Sequence, residues 1–280
     1  MELSEVYKQI LLEIKNNIKH SSDDDIDFTL QLNNDIFDIG NNLNFREEAD
    51  SPILEEKDGS EFSTSSNTNK FSDSKRKVKK IDFPKDSKLY ELNKQVMSCK
   101  RCPLYKTRNN TVFGEGNLEA DIMFIGEGPG GNEDLTGRPF VGKAGELLIK
   151  IIENVMKLKR EDVYMANIVK CRPPGNRNPN NIEVSSCIGF LHKQITIINP
   201  KIIIPLGTVA LSTLLPQHRS IIQSRGQDMV LALSKDNIYD VIPTYHPSYL
   251  LRGDKAEINK KKREVWQDIK KIMTKLNLPI

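Results

Sequence analysis

Asp121-Ile-Met-Phe-Ile-Gly-Glu-Gly-Pro-Gly130 is the stretch that decides how this chain is to be read. The segment Asp121-Ile-Met-Phe-Ile125 has the apolar run of a buried strand. Glycines then continue through Gly131-Asn-Glu-Asp-Leu-Thr-Gly-Arg-Pro-Phe-Val-Gly-Lys-Ala-Gly145. Beyond them, Glu146-Leu-Leu-Ile-Lys-Ile-Ile-Glu-Asn-Val-Met156 repeats its apolar positions at helical spacing. A strand that empties into a glycine-rich loop and then a helix brings backbone N–H groups close to a ligand without side-chain obstruction. No Gly-Lys-Ser/Thr closes the loop, so it is not a Walker A motif. The Gly-x-Gly-x-x-Gly spacing at Gly126, Gly128 and Gly131 meets no acidic residue at the end of the next strand, which disfavours a dinucleotide.

Outward from this segment, strands and helices alternate. Strands are expected at 121–126, 163–169, 201–207 and 238–244, and helices at 142–158, 180–199, 208–215 and 256–276. That alternation implies an α/β fold, a parallel sheet covered by helices on both faces. Ligands then belong at the carboxyl ends of the strands. Polar or glycine-rich motifs do follow each strand, at 126–131, 167–177, Gly207 and His246.

The compact domain is expected to span residues 85–280. Residues 1–84 read as an extension: a short amphipathic helix over 3–19, with Val6, Ile10, Ile14 and Ile18 on one stripe, then a polar, disordered tether. Near its end lies the basic run Lys75-Arg-Lys-Val-Lys-Lys80, which could add non-specific attraction to phosphate. Only 38% of the residues are hydrophobic, consistent with part of the chain lying outside a packed core. The net charge of +3 says little about nucleic acid. No apolar stretch approaches a bilayer span and the N-terminus has no signal-peptide core, so a cytoplasmic protein without membrane contact is expected.

In that compartment the four cysteines are not expected to pair as disulfides. Cys99 and Cys102 form a Cys-x-x-Cys pair, Cys171 follows the second strand, and Cys187 falls on the next helix. Spacing alone leaves zinc and a cubane iron–sulfur cluster equally open. Three further residues stand out. Phe140, flanked by glycines, is a core residue or a platform for a planar base. Asn167 lies inside the apolar strand expected at 163–169, and a buried amide there can read a donor–acceptor edge. His246 lies beyond the last strand beside Pro247, in a stiffened turn, whereas His20, His192 and His218 read as surface residues.

Taken together, Cys99-Lys-Arg-Cys-Pro-Leu104, Val112-Phe-Gly-Glu-Gly116, Gly126-Glu-Gly-Pro-Gly130, Glu133–Gly145, Asn167-Ile-Val-Lys-Cys-Arg-Pro-Pro174 and His246-Pro-Ser-Tyr-Leu-Leu-Arg252 resemble the iron–sulfur (family 4, or type-4) uracil-DNA glycosylases. The resemblance covers about residues 95–252 and not the extension. It implies a three-layer α/β/α fold with a four-stranded parallel sheet. It also implies a [4Fe–4S] cluster on Cys99, Cys102, Cys171 and Cys187. Gly126, Glu127 and Gly128 would line the uracil pocket and place the attacking water. Phe140 would stack on the extruded base, Asn167 would bond its polar edge, and His246 would face uracil O2. Glu127 and His246 are thereby the catalytic candidates. The partner implied is uracil-containing DNA, single- or double-stranded, met by a monomer whose extension could bind a repair or replication protein. A competing reading is a DNA-binding module that keeps the pocket without turnover.

Overall fold

A computed structural model describes residues 83–279. The expected helix at 3–19, the tether and the basic run at 75–80 lie outside the described residues.

Four strands carry the sheet: β2 (Ile122–Gly126), β3 (Tyr164–Asn167), β4 (Ile202–Pro205) and β6 (Ile238–Val241). They are parallel in the order β3-β2-β4-β6 and correspond to the four strands expected. The sheet has six strands rather than four, however. The two-residue β1 (Glu115–Gly116) pairs antiparallel with β3, and β5 (Met229–Ala232) pairs antiparallel with β6. Both are edge strands: β1 is too short to register as an apolar period, and β5 alternates buried and more exposed residues, as an edge facing water does.

Alternation within each strand sorts side chains onto two cores. Met123 and Ile125 point to one face with Tyr164, Ala166 and Ile203. On that face pack α1 (Lys88–Met97), α4 (Asn181–Ile198) and α5 (Gly207–Leu214). Ile122 and Phe124 point to the other face with Met165, Ile202 and Ile204, beneath α3 (Lys143–Lys150) and α7 (Lys255–Lys275). Two short helices complete the fold, α2 (Gly131–Thr136) and α6 (Ile221–Ser224). The result is the expected three-layer α/β/α arrangement. Local chemistry marks the helix ends: Asn180 caps α4 in a reciprocal capping box with Glu183, and Asn199 closes it in the left-handed region. The expected helix over 142–158 is α3 continued by one wide turn, Ile151–Val155.

The chain leaves β2 for β3 on one side, then crosses back to β4 on the other. The β2/β4 boundary is therefore the point at which strand order reverses, where ligands bind in such sheets.

A polar network runs through the first core. Gln194 on α4 is fully buried; its Nε2 donates to the Phe113 carbonyl at 2.9 Å and to the Tyr164 hydroxyl at 3.2 Å. Its Oε1 accepts from Nζ of Lys170, which also donates to the Asn167 carbonyl at 2.9 Å. Lys170 is only 1% exposed. Gln194→Leu keeps the volume but strands a buried amine, a hydroxyl and a carbonyl. It is expected to lower unfolding free energy by about 2–4 kcal/mol, measured by denaturant titration.

Candidate active site

The pocket is built on the register of β2 and β3. Gly126 pairs with Asn167, and the pairing runs on past both strands, with Ile168 N–H donating to Gly126 O at 2.9 Å and Val169 N–H to Glu127 O at 3.2 Å. Asn167 is 3% exposed and ends β3 with its amide turned to Gly126. A methyl group at Gly126 would collide with Asn167 Oδ1 and come within 2.8 Å of Phe140 Cζ. Gly126, Phe140 and Asn167 thus meet at one spot. A methyl at Gly128 would press on Val169 at 2.8 Å, so this loop also lies flat against its neighbour. Glu127 between them is half-buried, and burial raises its carboxyl above the ordinary value.

Phe140 sits in the left-handed region at φ 52°, unusual for an aromatic residue and costing roughly 1–2 kcal/mol. Several contacts hold it there. Arg160 Nη1 donates to the Phe140 carbonyl at 3.0 Å, and Nη2 donates to the Pro139 carbonyl. Glu115 on β1, buried, anchors that guanidinium and also takes Arg138 in a two-pronged pair, both contacts 2.8 Å. The two arginines hold the Glu115 carboxyl below its ordinary value against the opposing effect of burial. From the other side, Glu133 Oε1 accepts from the N–H groups of Val141 and Gly142, each at 2.8 Å. Gly145 leaves no room for a side chain, since a methyl there would overlap the Phe140 carbonyl.

His246 begins the turn Pro247–Leu251 beyond β6. Its ring lies 6.5 Å from that of Phe140, tilted by 33°. Gly207, at φ 84°, passes so near that a methyl would sit 3.0 Å from His246 Cβ. The Ser248 N–H donates to Nδ1 at 3.2 Å, and Ser248 Oγ is 2.7 Å from the same atom. An Nδ1 that accepts leaves the proton of the neutral ring on Nε2. Burial, reinforced by Arg252 and opposed by Glu133, pushes the ring down to about 4. The imidazole is therefore neutral at neutral pH.

The four cysteines gather on the first-core face of the domain. Cys99 follows α1, Cys102 precedes the turn Pro103–Lys106, Cys171 follows β3 and Cys187 lies on α4. All four are free and line one cavity with Val96, Arg108, Lys170 and Phe190. Arg108 Nη1 donates to Cys171 Sγ at 3.1 Å, and the Lys170 N–H to Cys187 Sγ at 3.3 Å. Burial raises the thiols of Cys102, Cys171 and Cys187, the last to about 11. Among the described residues no three His, Cys, Asp or Glu side chains stand close enough together to hold a single ion.

A family model described as the uracil DNA glycosylase superfamily matches residues 113–270. A type-4 uracil-DNA glycosylase of Thermotoga maritima is 48% identical over 181 residues, covering 64% of this chain and 90% of that protein. One from Sulfurisphaera tokodaii is 45% identical, covering 58% and 76%. The chain belongs to the type-4 uracil-DNA glycosylases. A type-5 enzyme of Pyrobaculum aerophilum is more distant at 27% identity.

The residues singled out in the sequence thus fall into two groups in space. Gly126, Glu127, Gly128, Phe140, Asn167 and His246 lie at or just beyond the carboxyl ends of the strands, and the four cysteines line the cavity on the first-core face. His192 and His218 are half-buried rather than surface residues; burial pushes His192 down to about 4. Sequence reading overlooked the supports of the pocket. Glu115, Glu133, Arg138 and Ser248 all stood inside quoted motifs, but Arg160 lies in a plain connection with no signal. Among the described residues no helix is long and apolar enough to cross a membrane.

A ring pushed below its unfolded value of about 6.5 contributes stability above that pH and loses it as pH falls toward 4. His246 is expected to stay neutral, protonated on Nε2, from pH 8 to about pH 5. Nitrogen-15 NMR of the imidazole checks this; a midpoint near 6.5 would contradict it.

Proposed function

We propose that this protein releases uracil from single- or double-stranded DNA through a flipped-out nucleotide, and that His246 supplies the donor to the leaving base. The observation that carries the reading is the Ser248 N–H on His246 Nδ1, which leaves Nε2–H free to donate. Uracil within a duplex is out of reach until its nucleotide turns out of the stack, at a cost of a few kcal/mol. Stacking on an aromatic ring such as Phe140 returns roughly 1–3 kcal/mol. Asn167 offers an amide donor and acceptor to uracil O4 and N3–H, a pattern that cytosine reverses. As the C1′–N1 bond breaks, the bonding pair goes to uracil and negative charge builds on O2. A neutral imidazole donor there stabilises the anion as it forms, and because the ring starts neutral, the step needs no prior protonation. Water adds its oxygen to C1′ and its proton is lost, leaving an abasic site. Glu127 is the carboxylate of the pocket, and we assign it to placing that water.

We further assign the cysteines to a [4Fe–4S] cluster. Pure thiolate ligation suits it, as does a donor set lining one cavity. The buried Lys170 amine, which donates only to the neutral Asn167 carbonyl and Gln194 amide, gains an anionic neighbour when four thiolates hold iron. When bound, such a cluster joins the Cys99–Cys102 segment to β3 and α4; glycosidic hydrolysis requires no redox step from it. Thiolate-bound iron fits a reducing, cytoplasmic setting, and the chemistry is assigned to residues 85–280.

His246→Ala is expected to slow single-turnover uracil excision by about a hundredfold or more with DNA affinity nearly unchanged, because the anion exists only late in the reaction. Asn167→Asp should weaken uracil excision and open some cytosine excision, since a carboxylate accepts from the cytosine amino group. Wild-type rates in His246→Ala would refute the assignment. The purified protein should be brown, with a broad visible absorbance shoulder and about four irons per chain; colourless protein with stoichiometric zinc would overturn the cluster.

A further inference from the structure

Trp266, the chain's one tryptophan, is 42% exposed on α7. The helix anchors itself through Val265, Asp268, Ile269, Ile272 and Met273. At 100° per residue, Lys255, Asn259, Lys262, Arg263, Trp266 and Lys270 fall within an arc of about 100° on one flank. That flank carries no carboxylate. Glu257 and Glu264 project from the opposite side. Several other cations of the helix are engaged: Lys261 with Glu257 at 3.6 Å, Lys271 with Asp228 at 2.7 Å, and Lys275 with Asp240 at 2.9 Å. Lys262, Arg263 and Lys270 are exposed, and they stand four before, three before and four after the indole, so that one turn to either side of the ring carries positive charge.

The helix that carries the flank starts beside the turn at His246, held there by Lys261, which projects from the side turned away from Trp266. Lys261 Nζ donates to the Arg252 carbonyl at 2.8 Å and lies 4.2 Å over the Tyr249 ring, fastening the first half of α7 to the turn that starts at His246. From Lys255 to Lys270 the helix then runs about 22 Å along the domain. Among the described residues Lys262, Arg263 and Lys270 form no ion pair, and the indole between them gains nothing from water, which disfavours a mere solvated face. The arrangement matches the two demands of an unpaired nucleic-acid strand, a stacking surface for a base and cations for the phosphates on either side.

We propose that this flank of α7 is a second DNA contact, outside the base pocket, in which Trp266 stacks on an unpaired base and Lys262, Arg263 and Lys270 meet the surrounding phosphates. The proposal rests on the glycosylase reading and extends it to how strand is held beyond the flipped nucleotide. Being the one tryptophan, Trp266 reports on itself. Uracil-free oligothymidylate added to the full chain should quench its fluorescence saturably, and salt should weaken the effect. Polyglutamate of matched charge should not quench. Joint replacement of Lys262, Arg263 and Lys270 by Ala keeps the probe and should raise the half-saturating concentration by about tenfold or more. Trp266→Phe should raise KM on a long uracil-containing single strand several-fold with kcat unchanged, and leave a uracil trinucleotide, too short to span both places, unaffected. The proposal is overturned by unchanged fluorescence under conditions where anisotropy reports binding. It is equally overturned by equal quenching with polyglutamate, or by wild-type KM in both variants. Failure of the wild type to excise uracil would instead strike the glycosylase reading, which the binding arm does not use.

Discussion

The parallel pairing of β2 with β3 is the constraint on which both sites depend. Setting Gly126 opposite Asn167 places the amide over a residue that has no side chain to block it. The same register, carried on by the hydrogen bonds of Ile168 and Val169, delivers Lys170 and Cys171 to the far side of the strand end. A shift of one residue would exchange the two faces of β3 and bury the wrong set of side chains. The sheet's all-buried middle strands make such a slip costly: Met123, Phe124, Ile125, Met165 and Ala166 are all fully enclosed.

Phe140 illustrates how a small domain maintains an unfavourable backbone geometry at a site. Left alone, the left-handed conformation costs roughly 1–2 kcal/mol. Charge-assisted hydrogen bonds contribute about 1.5–3 kcal/mol each, and Arg160 makes two to this turn. The anchoring carboxylate of Glu115 is buried but shared by two guanidiniums, so its desolvation is offset by both. Glu133, on the opposite side, ties the next two N–H groups to α2. The turn that carries the ring is thus held from one side by Arg160 and from the other by Glu133.

Much of this was legible in the sequence because the signals were local. Asn180 and Asn199 flank a helix that spans the residues between them, since a capping box and a left-handed stop are chemical marks at fixed positions. Gly126, Asn167 and His246 each follow an apolar run, and the parallel sheet brings such ends together. What escaped was either too short or too distant. β1 is two residues long and β5 an edge strand. Arg160 reaches Glu115 across 45 residues of chain, and nothing in its neighbours announces the partner. The Ser248 hydrogen bond, which decides the histidine tautomer, depends on a turn geometry that residue types alone do not specify.

The pocket is shaped as much by what is missing as by what is present. At Gly126, Gly128 and Gly145 a methyl group would come within 3 Å of a neighbouring atom, and at Gly207 it would sit 3.0 Å from His246 Cβ. Alanine is the smallest step available to a codon change at these places, and at each it forces a neighbour to move. A side chain at any of these glycines would have to displace Asn167, Phe140, Val169 or His246, so the loop and its neighbours can change only together.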